Sequence, residues 1–266
     1  MARVAVAATA PFGAEVLERL AAKHEVAALL TRPDAPAGRG RRVVAPPAKR
    51  VAERLGIPVL QPERPAAGLD VGAPTVVVCA YGLLVPEPLL AERSWLNVHP
   101  SLLPRWRGAA PVERAIMAGD AETGVTIHET VAELDAGPVA AQEGFPIGPE
   151  DDAGAVYAHS AEVAARLLDA VLAEPDPMLA PQAGTPTYAD KISPEDRRLD
   201  LTRPADELVR VVRALSPHIG ARAELEGRPV TVWHARVAED GSFEALEVQP
   251  DGSRRMSVDA WRRGLR

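Results

Sequence analysis

The chain has 266 residues and a mass of 28.2 kDa, enough for one large domain or for two unequal ones. Hydrophobic residues make up 47% of the sequence and charged residues 25%, a balance that excludes a disordered or low-complexity protein. With 30 Lys and Arg against 37 Asp and Glu, the net charge is -7. This charge excludes a protein that binds nucleic acid unselectively, but it is compatible with a local basic patch.

The first half of the chain alternates between strand-like and helix-like patterns. Short apolar runs predict buried strands at 4–8, 26–30, 57–60 and 75–80. Apolar residues at helical spacing predict helices over 12–23 and 47–55, and a Pro-, Gly- and Arg-rich loop is expected over 31–46. Strands that are apolar on both faces and alternate with helices indicate an open α/β domain with a parallel sheet. Its ligands should bind beyond the carboxyl ends of the strands.

The second half predicts a domain boundary and a change of architecture. A long helix expected over 152–172 closes the first domain, assigned to 1–174, and five prolines mark 175–199 as an interdomain linker. A helix at 204–215 then precedes alternating segments, which predict a small β-rich module over 200–266. The alternating segments lie at 221–226, 229–235 and 243–248, with a turn at Gly227 between the first two.

One polar stretch lies where such a sheet binds ligands. Asn97 and His99 follow the predicted strand at 95–96, and strand alternation points both side chains to the same face. An amide that donates hydrogen bonds to a developing oxyanion, beside an imidazole that moves a proton near neutral pH, suits acyl transfer. From this spacing alone, a turn-capping Asn97 and a structural, buried His99 are the favoured alternative.

A second polar cluster lies downstream, between two strand-like segments. Its Asp135 is suited to orient His99 or to exchange a proton with it, and Gly137 permits a close backbone approach. By itself, an aspartate two residues before Gly-Pro is more simply a turn residue.

Residues 97–104 (Asn-Val-His-Pro-Ser-Leu-Leu-Pro) and 134–137 (Leu-Asp-Ala-Gly) together resemble the 10-formyltetrahydrofolate-dependent formyltransferases. The resemblance implies an open, mostly parallel, Rossmann-like sheet followed by a small β-rich, OB-like barrel. It implies a catalytic trio of Asn97, His99 and Asp135, which makes an amine nucleophilic, stabilises the oxyanion at the formyl carbon and expels tetrahydrofolate. The implied folate-binding residues are Ser101, Leu102, Leu103, Pro104, Tyr81, Gly82, Leu84 and Val85.

The amine acceptor has to be inferred from other parts of the chain. Residues 31–42 look like a loop that the methionyl-tRNA formyltransferases insert into this fold, and residues 39–50 carry five positive side chains and no acid. Arginines on a Gly-rich loop suit a phosphate backbone, although without the resemblance an ordinary solvated loop is equally compatible. The resemblance implies initiator methionyl-tRNA as partner. The implied contacts are Phe12, Arg39, Arg41 and Arg42.

The resemblance covers nearly the whole chain, from Val4 to Trp261, and in the family the C-terminal barrel holds tRNA. Three segments depart from the family pattern. The corner at 8–12 lacks the usual Gly-Thr-Pro and acid, the span 237–246 is short, and 216–219 lacks an aromatic residue after the proline. The last two departures predict weaker tRNA contacts from the barrel.

Several other residue types narrow the class of protein. The single cysteine, Cys79, excludes an intrachain disulfide, and no pair of histidines has helical ligand spacing with a carboxylate, so no metal is predicted. His128 is expected at a strand edge rather than in the pocket, and Trp106 suits stacking on a base as well as wedging its own loop.

No apolar segment reaches the ~20 residues of a membrane span. A cytoplasmic protein without membrane contact is expected, and a monomer from the resemblance.

Three other functions stay open. A transferase for an amino sugar on a nucleotide carrier is the nearest, although a small sugar nucleotide does not need the basic loop. A hydrolase that releases the formyl group to water would use the same trio without tRNA. A non-catalytic RNA-binding protein is disfavoured because the trio is complete.

Overall fold

The computed structural model describes residues 1–37, 42–174 and 176–265. These residues form two compact units, and each unit combines segments that are separate in the sequence. The first unit comprises Met1–Arg107, Gly124–Gly144 and Ala158–Thr187, and the second comprises Gly108–Thr123, Phe145–Tyr157 and Tyr188–Arg266. The division into 1–174, 175–199 and 200–266, which follows the sequence rather than these units, stays a prediction. Pro175 lies outside the described residues.

In chain order the described strands are β1 (Arg3–Ala8), β2 (Glu25–Leu30), β3 (Ala35–Ala37), β4 (Arg42–Val44), β5 (Val59–Leu60), β6 (Thr75–Cys79), β7 (Ser94–His99), β8 (Arg107–Gly108), β9 (Glu122–Glu129), β10 (Val139–Pro146), β11 (Tyr188–Ala189), β12 (Ala221–Leu225), β13 (Arg228–Val237), β14 (Phe243–Pro250) and β15 (Met256–Ser257). The described helices are α1 (Pro11–Ala21), α2 (Pro47–Arg54), α3 (Glu87–Leu90), α4 (Pro111–Ala118), α5 (Ala153–Ala173), α6 (Ala205–Leu215) and α7 (Val258–Arg263). None of these helices is long and apolar enough to cross a bilayer.

The main sheet has the strand order β10-β9-β7-β6-β1-β2-β5. The neighbours β7, β6, β1, β2 and β5 run parallel, and β9 pairs antiparallel with β7. The open, mostly parallel α/β sheet predicted from the apolar runs is therefore confirmed. Its parallel strands end at one edge, where the loops that follow β1, β6 and β7 meet.

The beginning of α1 is held close to this edge. Gly13 makes the close approach possible, because a Cβ atom there would lie 2.3 Å from the carbonyl oxygen of Cys79. The corner before the helix donates two backbone hydrogen bonds, from Thr9 and Ala10, to the carbonyl of Ala80. Thr9 Oγ1 adds a third, to the Tyr81 carbonyl at 2.7 Å. These contacts fix the start of the loop that follows β6.

Two segments differ from their predicted form. The loop expected over 31–46 contains the short antiparallel hairpin of β3 and β4 in its described part, with Ala35 opposite Val44. The strand expected at 95–96 extends through His99, because Asn97 and His99 pair with His128 and Thr126 of β9. The trio's first two members therefore lie on a strand rather than after it.

The second unit contains the predicted β-rich module. The strands β12, β13, β14 and β15 form an antiparallel sheet in that order, and Gly227 has a φ of +71° in the turn between the first two. The helix α6 packs Leu208, Val212 and Leu215 into the core that these strands cover. The sheet order is open: within the described residues no pairing of β12 with β15 closes the expected barrel.

Candidate active site

The predicted trio comes together at the carboxyl end of β7. The side-chain nitrogen of Asn97 lies 3.2 Å from Oδ1 of Asp135, and Nδ1 of His99 lies 3.6 Å from Oδ2 of the same carboxylate. His99 is 4% exposed and the Asp135 side chain 9%. The carboxylate thus contacts the amide through one oxygen and faces the imidazole with the other. That the three residues are catalytic stays a prediction.

The orientation of the Asn97 amide follows from its two neighbours. A carboxylate only accepts hydrogen bonds, so Nδ2 of Asn97 faces Asp135. The same nitrogen lies 3.0 Å from Nε2 of His128, whose Nδ1 donates to the Glu129 carbonyl at 2.8 Å, which leaves Nε2 to accept. Both amide N–H groups are therefore engaged, and the oxygen has no partner among the described residues. In this state the amide presents an acceptor, not the expected oxyanion donor.

His128 lies inside the site rather than at a strand edge. It is 1% exposed, stands opposite Asn97 in the pairing of β7 with β9, and has its Nε2 3.7 Å from Oδ1 of Asp135. Burial lowers the pKa of His128 from 6.5 to about 4, so the imidazole is neutral at physiological pH. A neutral ring is what allows it to accept from Asn97.

His99 is oriented by a backbone group. Its Nε2 lies 2.8 Å from the carbonyl oxygen of Trp106, so Nε2 carries the proton and donates it. The other nitrogen, Nδ1, lies on the side of the ring that faces Oδ2 of Asp135. Trp106 holds this carbonyl in a left-handed backbone conformation with a φ of +65°, and the Arg105 guanidinium stacks 4.6 Å from its ring centre. A neutral His99 can accept a proton at Nδ1.

The predicted folate loop at 101–104 is tied to β9 and β10. Thr126 Oγ1 donates to the Ser101 carbonyl at 2.7 Å and accepts from the Leu103 backbone N–H at 3.1 Å. Gln142 Nε2 donates to the Leu103 carbonyl at 3.0 Å. Sequence reasoning missed Thr126 and Gln142, although the alternation of Thr126 with His128 on one strand was a usable signal. Leu102 is intermediate in exposure, Leu103 is buried, and Pro104 is partly exposed.

The second predicted folate-binding segment, at 81–85, combines buried and exposed positions. Tyr81 and Val85 are buried, whereas Gly82 is exposed and Leu84 is 80% exposed. The Tyr81 hydroxyl is buried without a hydrogen-bond partner in the described structure, and burial raises its pKa to about 12. The backbone groups of 82–85 make no hydrogen bond to any other described residue.

The residues predicted to contact tRNA lie in different environments. Phe12 is 8% exposed in the first turn of α1, so little of its surface is open to a substrate. Arg42 is exposed at the start of β4. Arg39 and Arg41 lie outside the described residues. Within the described ranges, no group of three or more His, Cys, Asp and Glu is arranged to hold a metal ion.

A further network, absent from the sequence predictions, supports the loop that carries Asp135. Gln182 Nε2 donates to the carbonyls of Asp135 and Gly137 at 2.7 and 2.9 Å. Its Oε1 accepts two hydrogen bonds from the guanidinium of Arg107, at 3.1 and 2.8 Å. Gln182 belongs to a proline-rich stretch whose composition indicates only a linker, so no sequence signal pointed to it.

Comparison with known families gives matches over most of the chain. A model of the formyl transferase family matches residues 2–172, and a model of the formyl transferase C-terminal domain matches residues 191–246. The chain is 40% identical over 295 residues to the methionyl-tRNA formyltransferase of Paracoccus denitrificans, covering 99% of this chain and 97% of that protein. It is 42% identical over 267 residues to that of Thiobacillus denitrificans, covering 94% and 86%.

Solved structures share the fold at lower identity. HypX from Aquifex aeolicus in complex with tetrahydrofolic acid aligns with a TM-score of 0.71 at 19% identity, over 98% of this chain and 46% of that one. Methionyl-tRNA formyltransferase from Clostridium thermocellum aligns with a TM-score of 0.63 at 12% identity, over 94% and 99%.

Proposed function

The chain belongs to the formyl transferase family, and on that premise we propose that it transfers the formyl group of 10-formyltetrahydrofolate to the α-amine of methionyl-initiator tRNA. The product is N-formylmethionyl-tRNA for translation initiation. The observation that carries this proposal is the identity of about 40% with methionyl-tRNA formyltransferases along almost the full length of the chain. On this proposal the protein works in the cytoplasm, as a monomer.

The loop at 81–85 suits the pterin of the donor. A pterin has a flat face and an edge with both donors and acceptors, and 82–85 offers backbone groups that no described residue uses. The buried side chains of Tyr81 and Val85, at the two ends of this loop, belong to one hydrophobic core cluster. When bound beside 101–104, the folate supplies an activated formyl group near His99.

The proposed mechanism gives the members of the trio separate tasks. The free oxygen of Asn97 accepts an N–H of the incoming amine and directs the nitrogen lone pair at the formyl carbon. His99 Nδ1 takes up the proton that the amine loses as its bond to carbon forms, and Asp135 stabilises the resulting imidazolium. His99 then donates the same proton to N10 as the bond between N10 and the formyl carbon breaks. The formyl group therefore ends on the amine, and the proton that the amine lost ends on N10.

The proposed contact with the tRNA rests on exposed positive charge. Arg42 is exposed on the β3–β4 hairpin, next to the segment that holds Arg39 and Arg41. An arginine fork suits phosphate oxygens of an acceptor stem. The C-terminal module, much of which matches the C-terminal domain of the formyl transferase family, is proposed to add further tRNA contacts.

Radiolabelled formyl transfer from 10-formyltetrahydrofolate to charged initiator tRNA tests the proposal, with release of free tetrahydrofolate measured in parallel. Label on the methionine of tRNA, in step with folate release, is the expected result. Folate release without tRNA would indicate a hydrolase, and label on a nucleotide-linked amino sugar would indicate the other transferase. Light scattering after gel filtration measures the molar mass and so tests whether the protein is a monomer.

A further inference from the structure

Two non-glycine residues of the site hold left-handed backbone conformations. Asp135 has a φ of +50°, and Trp106 has a φ of +65°. Such conformations persist only where the surrounding structure enforces them. Both matter to the trio, because Asp135 carries the carboxylate and the Trp106 carbonyl accepts the His99 Nε2–H. The contacts that hold these two backbones therefore set the geometry of His99 and Asp135.

The segment 180–187 contacts both backbones. It is anchored at its start by two hydrogen bonds between Ala180 and Val139, at 2.7 and 2.9 Å. Gln182 holds the Asp135 loop by donating to two of its carbonyls, and the Gln182 side chain leaves no polar atom unused. The segment thus holds the backbone from Asp135 to Val139, beginning at the residue that carries the carboxylate.

The other end of the segment holds Trp106. Thr187 Oγ1 accepts from the Trp106 backbone N–H at 2.9 Å, and the Thr187 N–H donates to the Pro104 carbonyl at 3.2 Å. The Thr187 carbonyl accepts from the Arg107 N–H at 2.9 Å. Three hydrogen bonds to one threonine define the turn whose carbonyl orients His99.

Arg107 connects the two ends of the segment. It is 9% exposed, and its guanidinium donates to Gln182 Oε1 while its backbone N–H donates to Thr187. Its Nη1 also donates to Glu133, but Nε and Nη2 depend on Gln182, and buried donors that lose their acceptor are costly. Gln182 therefore satisfies the cation and the Asp135 loop at the same time, which a shorter or purely accepting side chain does not do.

We propose that Gln182 and Thr187 are positioning residues of the reaction, so that 180–187 forms part of the catalytic site rather than a tether between domains. Gln182 acts through Asp135, and Thr187 acts through the Trp106 carbonyl on His99. The formylation assay for this proposal rests on the proposed function, but a spectroscopic readout of His99 does not.

The test uses near-isosteric variants of the full chain. Gln182→Glu keeps an acceptor for Arg107 but turns an oxygen towards two carbonyls, and Thr187→Val keeps the shape but removes Oγ1. Each should lower kcat about 10- to 100-fold, as expected for misplaced catalytic groups, with KM for folate changed less than about 3-fold. Each should also shift the pH dependence of kcat and the ¹⁵N shifts of the His99 imidazole. Thr187→Ser, which keeps the hydroxyl, should have kcat, pH dependence and His99 ¹⁵N shifts close to those of the wild type.

Gln249→Glu is the matched control. Gln249 also accepts from a side chain, Trp233 Nε1, and donates to a carbonyl, that of Ser253, but it lies outside the trio. It should leave the His99 shifts, and kcat on a minimal methionine ester, as in the wild type. A folded Gln182→Glu with wild-type kcat, pH profile and His99 shifts would overturn the proposal.

Two other outcomes are also decisive. If Gln182→Glu does not fold, the comparison of Thr187→Val with Thr187→Ser decides. A folded Thr187→Val variant with wild-type ¹⁵N shifts of His99 would contradict the proposed positioning role. If the wild type does not formylate tRNA, the proposed function fails on its own. The His99 ¹⁵N shifts then still decide whether 180–187 positions the imidazole.

Discussion

The side-chain nitrogen of Asn97 lies 3.0 Å from Nε2 of His128, a buried histidine on the neighbouring strand. This contact and the one to Asp135 consume both amide protons and leave the amide oxygen for a ligand. Asn97 therefore depends on two acceptors for its orientation, and only one of them belongs to the trio.

Replacement of Asn97 by alanine tests its part in the reaction. Asn97→Ala removes the oxygen that we expect to hold the amine, so single-turnover formylation should fall by about 100-fold or more. The thermal midpoint should fall modestly, because the buried Nε2 of His128 loses its donor, but the protein should still fold. A variant with near-normal single-turnover formylation would remove Asn97 from the mechanism.

His128→Phe tests the second acceptor. Phenylalanine fills the ring volume but accepts no hydrogen bond, so one Asn97 N–H is left unpaired. A net hydrogen-bond contribution of about 1 kcal/mol corresponds to a fall in kcat of roughly 5- to 10-fold. His128→Gln, which offers an amide oxygen, should recover part of the loss. Equal kcat in the Phe variant and the wild type would argue against orientation by His128.

The low pKa of His128 predicts a pH dependence of stability. Because its pKa is about 4 when folded against 6.5 in the reference state, the unfolded chain binds more protons between these values. The free energy of unfolding should therefore rise with pH from about 4 to 6.5, and the rise should be smaller in His128→Phe. Urea unfolding at several pH values measures both slopes. Parallel slopes would mean that His128 titrates normally in the folded protein.

Gly137→Ala tests the close packing behind the Asp135 loop. A Cβ atom there would lie 1.8 Å from the Glu129 carbonyl oxygen, so the loop must move. We expect a loss of roughly 1–3 kcal/mol in the free energy of unfolding, together with a lower kcat. Gly264→Ala is the control, since its Cβ would meet nothing closer than 3.4 Å. Similar stabilities of the two variants would contradict the tight approach.

Arg42→Ala tests the basic hairpin. Loss of one phosphate contact should weaken tRNA binding and reduce the slope of log affinity against log salt by about 1. Turnover on a minimal methionine ester should stay unchanged, because the trio is untouched. Unaltered tRNA affinity and salt slope would show that Arg42 is an ordinary solvated residue.

The sequence allowed the sheet and the geometry of Asn97 and His99 to be predicted, because strand alternation alone places their side chains on one face. The position of His128 opposite Asn97 depends on the pairing of β9 with β7, which no local pattern encodes, so the sequence predicts only a residue at a strand edge. The open order of the C-terminal sheet likewise depends on which strands pair.

Gln182 was missed for a different physical reason. Its partners are mostly backbone carbonyls and a guanidinium, so neither its spacing nor its neighbours distinguish it from a linker residue. Prolines around it indicate an extended chain but not what the chain lies against. The left-handed backbones of Asp135 and Trp106 are equally invisible in the sequence, since neither is a glycine.

The two imidazoles of the site differ in whether a point mutation can remove their hydrogen-bond partner. The acceptor of His99 is a backbone oxygen, which every amino acid at position 106 supplies, so the tryptophan can be exchanged without deleting that acceptor. The partner of His128 is the Asn97 side chain, which a single codon change removes. Genetic variation should therefore be tolerated at 106 wherever the left-handed turn is kept, and it should inactivate the protein at 97.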